Sequence, residues 1–152
     1  KACALRVPFI ANDGCETRFW KVKSMPFMIK DGAEKQCMDY GFYNNWKSNV
    51  YMGRCHGAHN QQWYFDGEQL KTKQDDKCLA ESSGADRNVY MSPCLSGDNE
   101  KWYFENGQLK NKQSSVRCLD MHRATKNLHM FNCHKESNQK FKSIEVTKLR
   151  VT

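Results

Sequence analysis

No stretch of the 152 residues is apolar for long enough to span a membrane, so insertion into a bilayer is not expected. No Asn-x-Ser/Thr acceptor occurs, so N-glycosylation gives no clue to the host. No window shows sustained helical periodicity, which argues against a helical domain. No block of five or six like charges forms a tail, although the net charge is +7 and the pI is near 9.0. The lysines are scattered instead (Lys71, Lys73, Lys77, Lys101, Lys110, Lys112, Lys140, Lys142), which predicts a solvated basic surface and no nucleic-acid partner. Apolar residues are sparse: 39% of the chain, with a mean hydropathy of −0.86. The core must therefore be economical, and aromatics at 12% supply much of it. The chain starts at Lys1 rather than Met, from which a removed leader or a trimmed start is expected.

Cysteine, by contrast, is abundant. Eight in so short a chain argue for disulfides and an oxidising compartment. Their spacing shows an internal repeat. One set falls at Cys37, Cys78 and Cys118, a second at Cys55, Cys94 and Cys133, and each pair is followed by an aromatic at Trp63, Trp102 or Phe141. The intervals are 41 and 40, then 39 and 39, then 39 and 39 residues. A fixed period marks a repeat architecture. Three units are too few to close a propeller but enough for a barrel with threefold pseudosymmetry. Of the roughly 100 pairings open to eight cysteines, the repeat favours Cys37–Cys55, Cys78–Cys94 and Cys118–Cys133, which leaves Cys3–Cys15.

Within each unit the apolar segments are short and the turns polar. Gln69–Lys71 and Gln108–Lys110 read as opening strands, and Phe27–Ile29 as their counterpart in the first unit. Asn88–Met91 and Asn127–Met130 precede the second cysteines; Trp63–Phe65 and Trp102–Phe104 close the units. Asp66-Gly67 and Asn106-Gly107 read as hairpin turns. About twelve strands at this spacing predict an all-β barrel. The last strand is expected within Ile144 to Thr152. Residues 1–26, with Cys3 and Cys15 and a faint strand echo at Phe19–Val22, form an N-terminal arm; 27–152 form the domain, with repeats at about 27–65, 66–104 and 105–145.

The pattern of Cys-x-Asp, a second cysteine and Asn-Gln-x-aromatic, recurring three times over residues 27–145, resembles the ricin B-type lectin family. The nearest branch is the lectin domain of polypeptide N-acetylgalactosaminyltransferases, on Cys55-His56-Gly57 with Asn60-Gln61 and Cys133-His134 with Asn138-Gln139. The resemblance implies a β-trefoil. It also implies a carbohydrate-binding function directed to galactose or N-acetylgalactosamine, without catalysis, cofactor or metal. The expected partners are terminal galactose or N-acetylgalactosamine on glycoproteins or glycolipids. The expected place is outside the cell or, as an alternative, the lumen of the secretory pathway.

The chemistry such a site needs is simple. A carboxylate accepts from two adjacent sugar hydroxyls, an Asn amide donates and accepts, an aromatic covers the apolar face of the ring, and His adds a donor or a wall. At the family's positions the third unit has Asp120, Phe131, His134 and Asn138, with Gln139 supporting the acid, and so carries the expected principal site. The first has Asp39, His56, Asn60 and Gln61, but Gly53 at the aromatic position; Tyr40, Phe42, Tyr43 or Trp46 are alternative covers. The second keeps only Asn99, with Ala80, Ser92, Leu95 and Glu100 elsewhere, and is expected to be structural; Glu81 is one residue off and on the other strand face. Affinity for a single sugar is expected near millimolar, about 4 kcal/mol, so that useful binding comes from several sites at once.

Other classes fit less well. A Cys-His nucleophile at Cys55-His56 or Cys133-His134 fails because neighbours on a strand point apart and both cysteines have repeat partners. A zinc site from Cys118, His122, Cys133 and His134 fails because the cysteines recur where the histidines do not. A targeting domain or subunit of a glycosyltransferase or toxin, with the chemistry on a partner chain, is one alternative. A β-trefoil that binds anionic glycans or proteins through its basic surface is another.

Overall fold

A computed structural model describes residues 23–42 and 48–146. The Cys3–Cys15 pairing, the Phe19–Val22 echo, Tyr43, Trp46 and residues 147–152 lie outside the described residues. Twelve strands make up the described chain, and they fall into three sets of four. The first is β1 (Phe27–Asp31), β2 (Gln36–Tyr40), β3 (Val50–Arg54) and β4 (Trp63–Asp66). The second is β5 (Gln69–Thr72), β6 (Cys78–Glu81), β7 (Val89–Ser92) and β8 (Trp102–Glu105). The third is β9 (Gln108–Asn111), β10 (Ser114–Met121), β11 (Leu128–Asn132) and β12 (Phe141–Glu145). A 3-10 turn precedes the last strand of each set, at His59–Gln61, Asp98–Glu100 and Ser137–Gln139. The fold is an all-β trefoil.

The strands pair antiparallel in the order β3-β2-β1-β4-β5-β6-β7, with β12 on β1, and separately as β11-β10-β9-β8. Equivalent positions of the three sets meet around a pseudo-threefold axis. Met52 N–H donates to Lys126 C=O at 2.9 Å, Met91 to Ser48 at 2.7 Å and Met130 to Arg87 at 2.8 Å. Beside these bonds, three amides close a ring: Asn49 Nδ2 donates to Asn127 Oδ1 (2.7 Å), Asn127 to Asn88 (3.0 Å) and Asn88 to Asn49 (3.1 Å). The Asn that opens each pre-cysteine strand is therefore a structural residue. A hollow of about 710 Å³ opens over the ring, but its amides are already spent on one another.

Period-two patterning puts one or two apolar residues of each strand into the core. Ile29, Met38, Leu70, Leu79, Leu109, Leu119 and Leu128 are buried there with Trp63 and Trp102. Each such aliphatic contributes about 1.5–3 kcal/mol over an exposed one. The indoles also satisfy backbone: Trp63 donates to Met38 C=O (3.1 Å) and Trp102 to Leu79 C=O (2.8 Å). Three disulfides, Cys37–Cys55, Cys78–Cys94 and Cys118–Cys133, tie the second strand of each set to the segment after the third. Cys118 and Cys133 are thereby unavailable to a metal.

Three local expectations need correction. The last strand among the described residues begins at Phe141, not Ile144, because the closing aromatic starts it as Trp63 and Trp102 start β4 and β8. Asp66-Gly67 is not the turn pair: Asp66 pairs with Gln69, so the loop is Gly67-Glu68, and Asp66 instead takes an ion pair from Lys71 at 2.7 Å. Asn106-Gly107 is a turn pair, with both φ angles positive (53° and 77°), as a two-residue hairpin loop of that composition requires. Tyr40, offered as a cover for a sugar, lies in the core with its hydroxyl donating to Asp75 at 3.0 Å. Burial, and then that hydrogen bond, push its phenol up to about 12.

Candidate functional site

In the first and third sets the second strand places an acid in a fixed relation to two amides of the 3-10 turn. In the third set, β10 carries Asp120 next to the buried Met121, and the turn carries Asn138 and Gln139. Gln139 Nε2 donates to Asp120 Oδ2 at 2.9 Å and to Asn132 C=O at 3.0 Å, while its Oε1 accepts from His134 N–H (2.9 Å) and Gln108 Nε2 (3.2 Å). Asn138 Nδ2 donates to Asp120 Oδ1 at 3.1 Å and to Met121 C=O at 3.3 Å. The first set repeats this. Gln61 Nε2 donates to Asp39 Oδ2 (2.7 Å) and Arg54 C=O (2.8 Å), and Asn60 Nδ2 donates to Asp39 Oδ1 (3.0 Å) and Tyr40 C=O (3.1 Å). Two buried carboxylates are thus held by paired amides, one on each oxygen, near the surface.

The histidines after the second cysteines turn back onto these acids. His134 Nε2 lies 3.3 Å from Asp120 Oδ2, and His56 Nε2 lies 3.4 Å from Asp39 Oδ2. Their tautomer follows from the opposite nitrogen. Nδ1 of His134 accepts from Glu136 N–H and Nδ1 of His56 from Ala58 N–H, both at 3.1 Å. The neutral ring therefore carries its proton on Nε2, facing the acid.

Phe131 stands beside this acid as an aromatic wall. Met130 is buried at 2% exposure while Phe131 is 51% exposed, so strand alternation turns Phe131 outward. Its ring centroid is 6.4 Å from that of His134 and 6.0 Å from that of His129. The expected third-set residues Asp120, Phe131, His134, Asn138 and Gln139 therefore come together. In the first set Asp39, His56, Asn60 and Gln61 also come together, around an acid with no aromatic at Gly53.

Two of the residues missed by sequence reasoning occupy the same register position. His129 is the cross-strand partner of Asp120, and its Nε2 is 3.0 Å from Asp120 Oδ1. Tyr51 is the cross-strand partner of Asp39. Its ring lies over Gly53: a Cβ built there would sit 3.1 Å from Tyr51 Cε2 and 3.3 Å from Asp39 Oδ2. The glycine leaves room for the tyrosine ring to take the place that Phe131 fills in the third set. Counting four positions before each second cysteine, rather than two, would have found both. Arg123 was missed as well; its Nη2 donates to Asn138 Oδ1 (3.3 Å) and pairs with Glu136 (3.2 Å).

The two acids differ in what remains open. Oδ1 of the buried Asn60 has no hydrogen-bond partner among the described residues, and Oδ1 of Asp39 accepts from Asn60 Nδ2. In the third set Arg123 covers the matching amide oxygen, and each oxygen of Asp120 faces one amide and one imidazole. The second set holds no such acid. Ala80 is buried where Asp39 and Asp120 stand, and Leu95 is exposed where the histidines stand. Asn99 reaches the Glu81 carbonyl at 3.5 Å, a backbone role it shares with Asn60 and Asn138. Glu100 replaces the glutamine; it accepts from Leu95 N–H (2.7 Å) and Gln69 (3.4 Å). Burial holds its carboxyl above the usual glutamate range, offset in part by those two bonds and by Lys71. Glu81 points the other way, fully buried against Arg117 Nε at 2.7 Å.

The described fold is shared with solved sugar-binding proteins. A non-toxic homologue of type II ribosome-inactivating proteins from bitter gourd, in complex with α-methyl-D-galactoside, superposes with a TM-score of 0.68 at 14% identity, over 79% of this chain and 48% of that one. The C-half of the earthworm R-type lectin in complex with GalNAc gives 0.62 at 19% identity, over 80% and 99%. GalNAc-T7, solved with UDP, GalNAc and Mn2+, gives 0.67 at 23% identity, over 82% and 23%. The chain thus spans about half of the bitter gourd protein and under a quarter of GalNAc-T7. No curated protein matches the sequence. The model of the ricin-type beta-trefoil lectin domain matches residues 25–141, and with three repeats, three disulfides and the trefoil architecture in place, the chain belongs to that family.

Proposed function

We propose that this lectin-family chain binds terminal galactose or N-acetylgalactosamine at two sites, the principal one around Asp120 and the second around Asp39. The observation that carries this reading is the duplicated carboxylate set: an Asp held on both oxygens by Asn and Gln amides, with an imidazole N–H 3.3–3.4 Å away. Held in this way, the carboxylate is fixed in the orientation needed to accept from two adjacent hydroxyls. Phe131 supplies the apolar wall of the third-repeat site; Tyr51 supplies it in the first. Phe131 projects further into solvent, and for that reason the third repeat ranks first.

The same reading covers the rest of the chain. The sugar-binding domain is proposed at about 27–152 with 1–26 as a preceding segment, of which Ser24 and Pro26 already pair with Phe65 and Val146. The groups gathered at each site hold hydroxyls, and the chain binds without catalysing. Three disulfides place it in an oxidising compartment, so secretion is proposed. Its partners are glycoproteins or glycolipids that carry these sugars in clusters, since two weak sites act together on neighbouring residues. A catalytic or toxin chain that uses this domain for targeting is the alternative arrangement.

The test is a glycan array, at physiological salt, of the protein beside Asp39→Ala, Asp120→Ala and the double substitution. Signal on terminal galactose or N-acetylgalactosamine, lost mainly with Asp120, is expected. Signal only on sulfated or other anionic glycans, indifferent to both substitutions, overturns the reading in favour of the basic surface.

A further inference from the structure

Asp120 is more crowded than a site ready for sugar requires. A carboxylate offers about four acceptor positions. On Asp120 the amides of Asn138 and Gln139 take one on each oxygen, His134 Nε2 stands 3.3 Å from Oδ2, and His129 Nε2 stands 3.0 Å from Oδ1. A diol that engages both oxygens must displace an imidazole. Oδ1 of Asp39 accepts from Asn60 Nδ2, and Tyr51 takes the register position that His129 holds opposite Asp120.

The two rings on Asp120 are not equivalent. Nδ1 of His134 accepts a backbone N–H from Glu136, so a second proton there would set two donors against each other. No described residue hydrogen-bonds Nδ1 of His129, so that ring can take a second proton without losing a bond. The other ionisable groups around it are His122, with its ring centroid 6.4 Å away, and the Arg123–Glu136 pair at the rim. Nδ1 of His122 accepts from Thr125 N–H at 3.4 Å. A neutral His129 is one hydrogen-bond donor to Asp120, which a sugar hydroxyl can replace. A protonated His129 adds the attraction of a full ion pair to a bond that the carboxylate charge already strengthens.

We propose that His129 is a positioning residue that gates the third-repeat site. Its imidazole occupies the Asp120 oxygen needed by the sugar, yields it in the neutral form and keeps it when protonated. The third site therefore releases galactose-type sugars in mildly acidic solution, while the first site holds them. This rests on the proposed sugar-binding role of Asp120.

The test is binding of methyl α-galactoside and of N-acetylgalactosamine, by calorimetry and by imidazole NMR, at pH 7.5 and pH 5.5. The proteins are wild type, Asp39→Asn (leaving the third site), Asp120→Asn (leaving the first), and Asp39→Asn with His129→Gln, which keeps a donor that does not titrate. In Asp39→Asn, affinity is expected to fall about tenfold or more at the lower pH. The His129 ring signals should shift on sugar addition at pH 7.5. His129→Gln should abolish the pH dependence, and Asp120→Asn should show little. Third-site binding that is equal at both pH values, or a pH dependence that survives His129→Gln, overturns the gate and leaves the lectin reading standing. Absence of binding by wild type at either pH overturns the galactose reading and the gate with it. Should the His129→Gln chain fail to fold, unmoved His129 signals in Asp39→Asn at saturating sugar overturn the gate on their own.

Discussion

Gln139 donates one N–H to Oδ2 of Asp120 at 2.9 Å and the other to the carbonyl of Asn132 at 3.0 Å. The residue thus does two things at once: it fixes the acid and closes the backbone of the segment after β11. Gln61 does the same for Asp39 and Arg54. Binding chemistry and fold closure share one side chain in the first and third repeats, and the second repeat shows what happens when they separate.

Restoring the acid alone in the second repeat should fail. Ala80→Asp sets a buried carboxylate where Glu100 offers no N–H, and like charges in one buried site disfavour each other. A loss of about 2–4 kcal/mol is expected, by comparison with uncompensated buried charges. Ala80→Asp with Glu100→Gln should recover most of it. Urea unfolding of the two variants and of Glu100→Gln gives the coupling. Equal stability of single and double variants would contradict the assignment.

Glu100 also predicts a pH dependence. Its folded-state carboxyl is raised, mainly by burial. The folded protein therefore holds that proton to higher pH than the unfolded chain does. Stability from this group is present at low pH and falls as pH rises from the unfolded value through the raised one. Glu100→Gln should be more stable than wild type at pH 7.5, by about 1 kcal/mol if the amide regains a carbonyl bond, with the gain shrinking toward pH 4. Chemical unfolding at both pH values checks the sign.

Arg117→Ala should be costly out of proportion to its exposure. It leaves Glu81, 1% exposed, with a buried charge whose Oε2 already lacks a partner among the described residues. About 3–5 kcal/mol is expected, read as a lowered unfolding midpoint. Arg117→Met with Glu81→Leu should lose far less.

Gly53→Phe tests the first-repeat site. The new side chain meets Tyr51 and Asp39 at under 3.5 Å, so the tyrosine ring must move. Binding in an Asp120→Asn background should drop about tenfold, close to 1.4 kcal/mol, and Tyr51→Ala should match it. Both are read by calorimetry with N-acetylgalactosamine, with circular dichroism to confirm folding.

Removing Cys78–Cys94 should separate stability from binding. That disulfide closes a loop in the repeat that has Ala80 in place of the site aspartate. Replacing both cysteines by Ser should cost roughly 3 kcal/mol and leave sugar affinity unchanged at temperatures where the chain is folded.

Much of this protein is written in its spacing. Cysteines and closing aromatics at 39–41 residue intervals were enough to give three units, three disulfide pairs and a barrel, because a repeat that folds must place equivalent residues equivalently. The grouping of Asp120 with Asn138 and Gln139 was implied by the family resemblance, and the fold brings these residues together. What the period could not show lies across strands and between repeats. Asp66 belongs to a ladder rather than a turn because register with Gln69 decides it. Tyr40 and Glu81 occupy the position of Met121, where the chain packs inward, and each finds its partner in the next repeat, Asp75 and Arg117. Tyr51 and His129 sit opposite the two acids through strand pairing alone. A sequence states which residues recur along the chain; only the pairing of strands decides which nitrogen stands 3.0 Å from Asp120, and a contact of that kind depends on register, not on period.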